Sequence, residues 1–224
     1  MNKSVQKDTL VAYIKLIGIV SVFGLTLSIV RLFIADNYGL TFLPWNLALA
    51  WIPLIFAYLL YKRTAKHGLI WSKTNFAFFV LWLVFLPNAF YLMTDFIHLR
   101  TAYGVRPMFD VVILMTYSIA GLALGYMSLL LVHLRALQRF GHKGHYFAVG
   151  ALLASGFAIY IGRYLRWNSW DIILNPFGIL IHITDRVLHP FEHILTFGTT
   201  ILYFAFLSII YWVIWRIYSI ATSK

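Results

Sequence analysis

The feature that most restricts this chain is a set of six long apolar runs, at about 11–34, 43–61, 74–93, 108–134, 146–165 and 194–215. A hydrocarbon core of about 30 Å takes roughly 20 apolar residues per helix, and each run meets that length. A segment in lipid must satisfy its own backbone hydrogen bonds or join a closed barrel, and these runs lack the alternation of barrel strands. The expected fold class is all-α: a polytopic helical membrane protein with six transmembrane helices, forming one integral membrane domain over 1–224. With 62% hydrophobic and 11% charged residues, an ordinary globular surface is excluded. The first run follows Lys3 and Lys7, exceeds a signal-peptide core in length and lacks a small-x-small cleavage site, so it reads as a retained anchor.

Charge gives this layout a direction. Twelve basic residues and one acid, Asp8, fall on the side that holds both termini and the connections after the second and fourth runs. The other side holds six arginines (Arg31, Arg100, Arg106, Arg163, Arg166, Arg186) and six acids (Asp36, Asp95, Asp110, Asp171, Asp185, Glu192). The positive-inside rule places the basic side, with both termini, in the cytoplasm. The whole formal charge of +11 then reflects orientation and attraction to anionic lipid headgroups, and no nucleic-acid partner is expected. All eight lysines lie inside, whereas the outer cations are arginines, which suit buried carboxylate pairs and bidentate anion binding. The chain has no cysteine, which excludes disulfides, thiolate metal sites and thiol nucleophiles.

Two motifs concentrate the polar residues of the outer side. In the first, Asn88, Tyr91, Asp95 and His98 recur at intervals of three and four, which places them on one helix face above Pro87. Asp95 and His98 fit either an interfacial helix end with Asp95 paired to an arginine, or a site with an acid/base pair or a divalent metal. In the second, Arg163-Tyr164-Leu165-Arg166-Trp167-Asn168-Ser169-Trp170-Asp171 ends the fifth run. Arg163 and Arg166, one turn apart, can jointly hold a phosphate or carboxylate, or instead neutralise Asp95 and Asp171; the tryptophans suit headgroup level. Asn46, at the start of the second run, either joins this pocket or caps its helix.

Asn175 and Pro176 match a helix cap and first-turn residue, predicting a helix over 176–188 with His182, Asp185, Arg186 and His189 on one polar face. Too polar to span, it reads as interfacial or re-entrant. His189-Pro190-Phe191-Glu192-His193 formally matches a zinc-protease pattern, but that chemistry needs one continuous helix and Pro190 argues for a break. His67, His133, His142 and His145 lie among inner basic residues and read as solvated. Gly121 with Gly125, and Gly150 with Ala154, fit close helix packing in membranes.

The motifs Leu86-Pro87-Asn88-Ala89-x-Tyr91-x-x-Thr94-Asp95-x-x-His98-Leu99 and Arg163-x-x-Arg166-Trp167-Asn168-Ser169-Trp170-Asp171 resemble those of a family of uncharacterised bacterial integral membrane proteins, classed as a domain of unknown function. The resemblance covers most of the chain, from near the second run to the last. It implies a bacterial plasma-membrane location and supplies no activity.

The functional expectation is an outward-facing polar pocket that binds or modifies an anionic or lipid-headgroup envelope molecule. Asp95 and His98 would be its catalytic pair, with a divalent metal as the candidate cofactor. Asn88, Arg163, Arg166, Asn168 and Asp171 would bind the ligand. Two other classes stay open: a small transporter, marked by polar sites near the midplane, and a non-catalytic accessory or assembly protein whose outer charges saturate one another.

Overall fold

The computed structural model describes residues 3–34, 39–67, 72–100, 107–167 and 171–222. Among them there is no strand. The helices are α1 (Lys3–Ile34), α2 (Leu43–His67), α3 (Lys73–Tyr91), α4 (Pro107–Phe140), α5 (Gly144–Tyr164), α6 (Asp171–Leu174), α7 (Pro176–Leu188) and α8 (Ile194–Thr222). Among the described residues, five helical stretches are long and apolar enough to cross a membrane, and one of them, Pro107–Tyr164, contains both α4 and α5. That stretch turns back on itself at a short 3-10 turn, Gly141–Lys143, where Gly141 has a left-handed backbone (φ 57°). α4 and α5 consequently pack side by side.

α4 is the hub, in contact with α1, α2, α3 and α5, while α8 packs on α5. The core lies along α4: Trp82, Leu86, Phe90, Leu92, Tyr117 and Leu124 are almost fully buried. Small residues let backbones approach, as membrane packing requires. A Cβ on Gly121 would lie 2.4 Å from the carbonyl oxygen of Ala89, and one on Gly156 2.7 Å from that of Thr200. Gly150 and Ala154 depart from expectation: both are exposed, and nothing lies within 4 Å of a Cβ on Gly150. The close α5–α8 contact runs through Gly156 instead, on another face of the same helix. By contrast α1 and α8 present rows of exposed apolar side chains, among them Ile19, Phe23, Ile201 and Trp212, the surface a lipid solvent calls for.

Local rules explain the elements that frame the site. Pro53 and Pro87 sit inside α2 and α3, and each removes a donor and leaves the carbonyl four residues back without its usual partner. Four residues after Pro87, α3 gives way to a 3-10 helix over Leu92–Arg100. Asp95 and His98 therefore do not continue the α-helical face of Asn88 and Tyr91; at three residues per turn they stack directly above one another. Nine residues is long for a 3-10 run, whose hydrogen bonds are poorer than α-helical ones. The Asn175 side chain accepts from the Gly178 N–H (3.0 Å) and caps α7, and Pro176 follows at its first turn. α7 ends at Leu188, and a turn through Pro190 separates it from α8.

Candidate functional site

The helices share two ends. At the distal end α1, α3 and α5 finish; at the proximal end α2, α4 and α8 finish. The distal end holds the polar cluster. Asp95 is 1% exposed, and both of its oxygens are occupied. Oδ1 accepts from Arg163 Nη2 at 2.7 Å and Oδ2 from Asn46 Nδ2 at 3.2 Å. α2, the 3-10 segment and α5 are thereby joined at one carboxylate.

Arg163 distributes its donors widely. Nε reaches Thr94 Oγ1 at 3.1 Å, Nη2 also bonds Thr94 Oγ1, and Nη1 reaches His98 Nε2 at 3.3 Å. Thr94 can accept because its own hydroxyl hydrogen goes to the Tyr91 carbonyl at 2.7 Å. A guanidinium only donates, so His98 accepts at Nε2 and is a neutral imidazole with its hydrogen on Nδ1. Its ring packs against Phe42 with centroids 4.8 Å apart. The guanidinium carbon lies 4.3 Å from the Tyr91 ring centroid, a cation–π contact. A second buried pair stands at the same end: Arg31 Nε and Nη2 hold the two oxygens of Asp110 at 2.6 and 3.1 Å, tying α1 to α4.

Arg166 behaves differently. It lies just past α5 with φ 58°, and its side chain is exposed. For a non-glycine residue that left-handed backbone costs about 1–2 kcal/mol. The wrapped chain end is closed by Trp167 N–H to the Ile161 carbonyl at 3.4 Å. Arg163 and Arg166 thus do not form a joint clamp: the chain leaves its helix between them, one turning inward to Asp95 and the other outward. Trp167 meets the His182 ring edge-on at 5.6 Å, which links the end of α5 to α7.

Of the sequence-predicted residues, Asp95, His98 and Arg163 meet in one cluster. Asn88 is half-buried on α3, Asp171 opens α6, and Asn168 lies outside the described residues. Thr94 belongs to the cluster although its position drew no prediction; the signal was a hydroxyl adjacent to Asp95 in the same motif. Among the described residues no three His, Asp or Glu side chains are arranged to hold a metal. Both Asp95 oxygens are engaged by Arg163 and Asn46.

α7 carries a further polar group. Asp185 accepts from His193 Nε2 at 2.9 Å, His189 Nδ1 at 3.2 Å and Arg186 Nη1 at 3.3 Å. Desolvation pushes the Asp185 carboxyl up, but the hydrogen bonds from His193 and His189 outweigh it and hold the group below its ordinary value. The two histidines of the protease-like pattern therefore serve a carboxylate across the Pro190 turn, and Glu192 is exposed away from any shared helix.

A family model described as "Protein of unknown function (DUF1361)" matches residues 45–213, about three quarters of the chain. The match takes in Asn46, Thr94, Asp95, His98 and Arg163 and leaves α1 outside. No curated protein and no solved structure matches the chain.

Proposed function

The chain belongs to the DUF1361 family of proteins of unknown function, and from that premise we propose that it is a six-span bacterial plasma-membrane protein whose outer face binds an anionic lipid headgroup. Five apolar stretches, one folded back at Gly141, support the six crossings. The basic residues collect at the proximal end, which supports a cytoplasmic location for both termini. α7 fits an interfacial helix: Phe177, Ile181 and Leu188 are strongly exposed on its apolar side, and Asp185 takes its partners from Arg186 beside it and from His189 and His193 of the turn that follows.

One observation carries the ligand: Arg166 holds an energetically unfavourable backbone that leaves its guanidinium exposed at the end of α5. Backbone strain of this kind concentrates at functional sites. In this reading Arg163 is the half-buried brace and Arg166 the hand. The test is native mass spectrometry of gently purified protein, with wild type retaining an anionic phospholipid and Arg166→Ala losing most of it. Arg166→Gly should lose it too while gaining about 1 kcal/mol of stability from relieved strain. Equal lipid retention by all three proteins would overturn the assignment.

A specific observation also favours the accessory-protein reading: both Asp95 oxygens and all three Arg163 nitrogens are consumed within the protein. Under that reading no lipid is retained and substitutions at Arg166 alter stability alone.

A further inference from the structure

A second polar cluster lies at the opposite end of the bundle, where the sequence suggested only solvated histidines. His133, on α4, is 2% exposed. Its Nδ1 is 2.8 Å from the Tyr211 hydroxyl on α8, and its Nε2 is 3.1 Å from Nδ1 of His145 on the first turn of α5. α4, α5 and α8 therefore meet through one imidazole. Trp215 of α8 lies against both rings, with centroids 4.5 Å from His133 and 5.5 Å from His145. The other titratable groups nearby are exposed or engaged elsewhere. His142 is exposed with its ring 6.4 Å from that of His145, and Lys143 and Arg216 are exposed. Arg135 is turned to the Tyr61 carbonyl, Tyr126 donates to the Leu207 carbonyl while stacking on Tyr211, and Tyr218 packs on Trp215. Among the described residues no carboxylate hydrogen-bonds to either ring.

We propose that the His133–His145 pair is a pH-operated latch joining α4, α5 and α8, closed while the two rings share one hydrogen and opened when both rings are protonated. A hydrogen bond between two ring nitrogens needs one donor and one acceptor, so a single hydrogen lies in the 3.1 Å gap. In the uncharged pair the bonds run in one direction. Tyr211 O–H donates to His133 Nδ1, His133 Nε2–H donates to His145 Nδ1, and His145 keeps its own hydrogen on Nε2. This direction is the one that gives the hydrogen of the buried Tyr211 hydroxyl an acceptor among the described residues.

One added proton leaves the latch closed. The pair then carries three hydrogens: one on His145 Nε2, one between the rings, and one on His133 Nδ1, which the Tyr211 oxygen turns to accept. A second added proton fills the last free nitrogen and sets N–H against N–H across the gap. No hydrogen bond survives between the rings, and two like charges in contact repel. His145 is the ring that can leave, because it is half-exposed on the first turn of α5, next to the turn at Gly141, whereas His133 is held under Trp215. Opening takes up protons, so by linkage acid favours the open form and alkali the closed one. Imidazoles change charge between about pH 5 and 8, which makes the pair a sensor of ordinary pH on the lysine-rich side of the chain.

The experiment uses the full-length chain in lipid nanodiscs. Because the chain has no cysteine, spin labels at Lys143→Cys and Arg216→Cys, both exposed, report the separation of the start of α5 from α8 by electron paramagnetic resonance. Between about pH 8 and pH 5 a longer distance should appear beside the short one, the ratio of long to short rising by up to about tenfold per pH unit for each proton taken up. His145→Asn offers His133 Nε2–H an amide oxygen that does not titrate, and should keep the short distance at both ends of the range. His142→Ala, beside the pair, and His98→Ala, at the distal end, should respond as the otherwise wild-type protein does. An unchanged distance across the range in that protein, or an equal shift in His145→Asn, would overturn the proposal. So would loss of the shift in His142→Ala or His98→Ala, which would assign the proton to another group. Because His145 is half-exposed, its substitution tests the latch without depending on the buried His133.

Discussion

Removing the Arg163 side chain should damage the protein far more than removing the whole ion pair. In Arg163→Met, Asp95 stays 1% exposed and keeps only the Asn46 hydrogen bond at 3.2 Å. Stranding a buried charge in this way costs about 3–5 kcal/mol. Loss of the cation–π contact with Tyr91 adds about 0.5–2 kcal/mol. In Arg163→Met/Asp95→Asn no charge is stranded, and the carbonyl oxygen of the new amide can still accept from Asn46. The double variant should therefore recover about 2–3 kcal/mol relative to Arg163→Met alone, the positive coupling expected of neighbours in one network. Reversible unfolding of the four proteins of the cycle, followed by tryptophan fluorescence in mixed micelles, measures both quantities. If Arg163→Met lies within about 1 kcal/mol of wild type, or if the double variant is no more stable than it, Asp95 is not held as a buried carboxylate by Arg163.

Two further outcomes follow from the packing and the α7–α8 junction. Gly121→Ala should destabilise by at least about 1–3 kcal/mol, because the added methyl meets a backbone carbonyl that cannot rotate away, whereas Gly150→Ala, with open space around it, should gain up to about 1 kcal/mol of helix propensity; the same unfolding assay separates them, and equal effects would contradict the α3–α4 contact. Asp185, held below its ordinary 3.8, stabilises the junction above that pH and loses this contribution as pH falls through the lower folded value. Amide hydrogen exchange around the Pro190 turn should accordingly show protection at neutral pH that declines in strong acid, and Asp185→Asn should show reduced protection already at neutral pH; an unchanged exchange pattern in Asp185→Asn would mean that the carboxylate does not clamp the turn.

Particular residues show how far the sequence could be read. α7 was legible to the residue because Asn175-Pro176 and Pro190 are local signals, acting through caps and missing donors that need no tertiary partner. The Asp95–Arg163 encounter was legible as a class, since an intramembrane carboxylate needs a cation, but not its saturation by Asn46 and Thr94. The 3-10 geometry of Leu92–Arg100 was not legible at all: a spacing of three and four fits an α-helix equally well, and the choice between them rests on packing against α4. The divergence of Arg163 and Arg166 was hidden for the same reason, because the helix ends between them.

The sequence by itself determined the solvent of this protein. Long apolar runs demand lipid, lipid demands self-satisfied helices, and the partition of lysines and arginines marks the two faces. Only the tertiary structure decided what each polar side chain meets. It turned His133 from a solvated residue into a buried one and made Arg163 a brace while leaving Arg166 exposed. Periodicity acts along one helix, within hydrogen bonds of fixed reach, whereas burial and pairing depend on which helices come together. In this chain α4, α5 and α8 make that choice at one end, and α2, the 3-10 segment and α5 make it at the other.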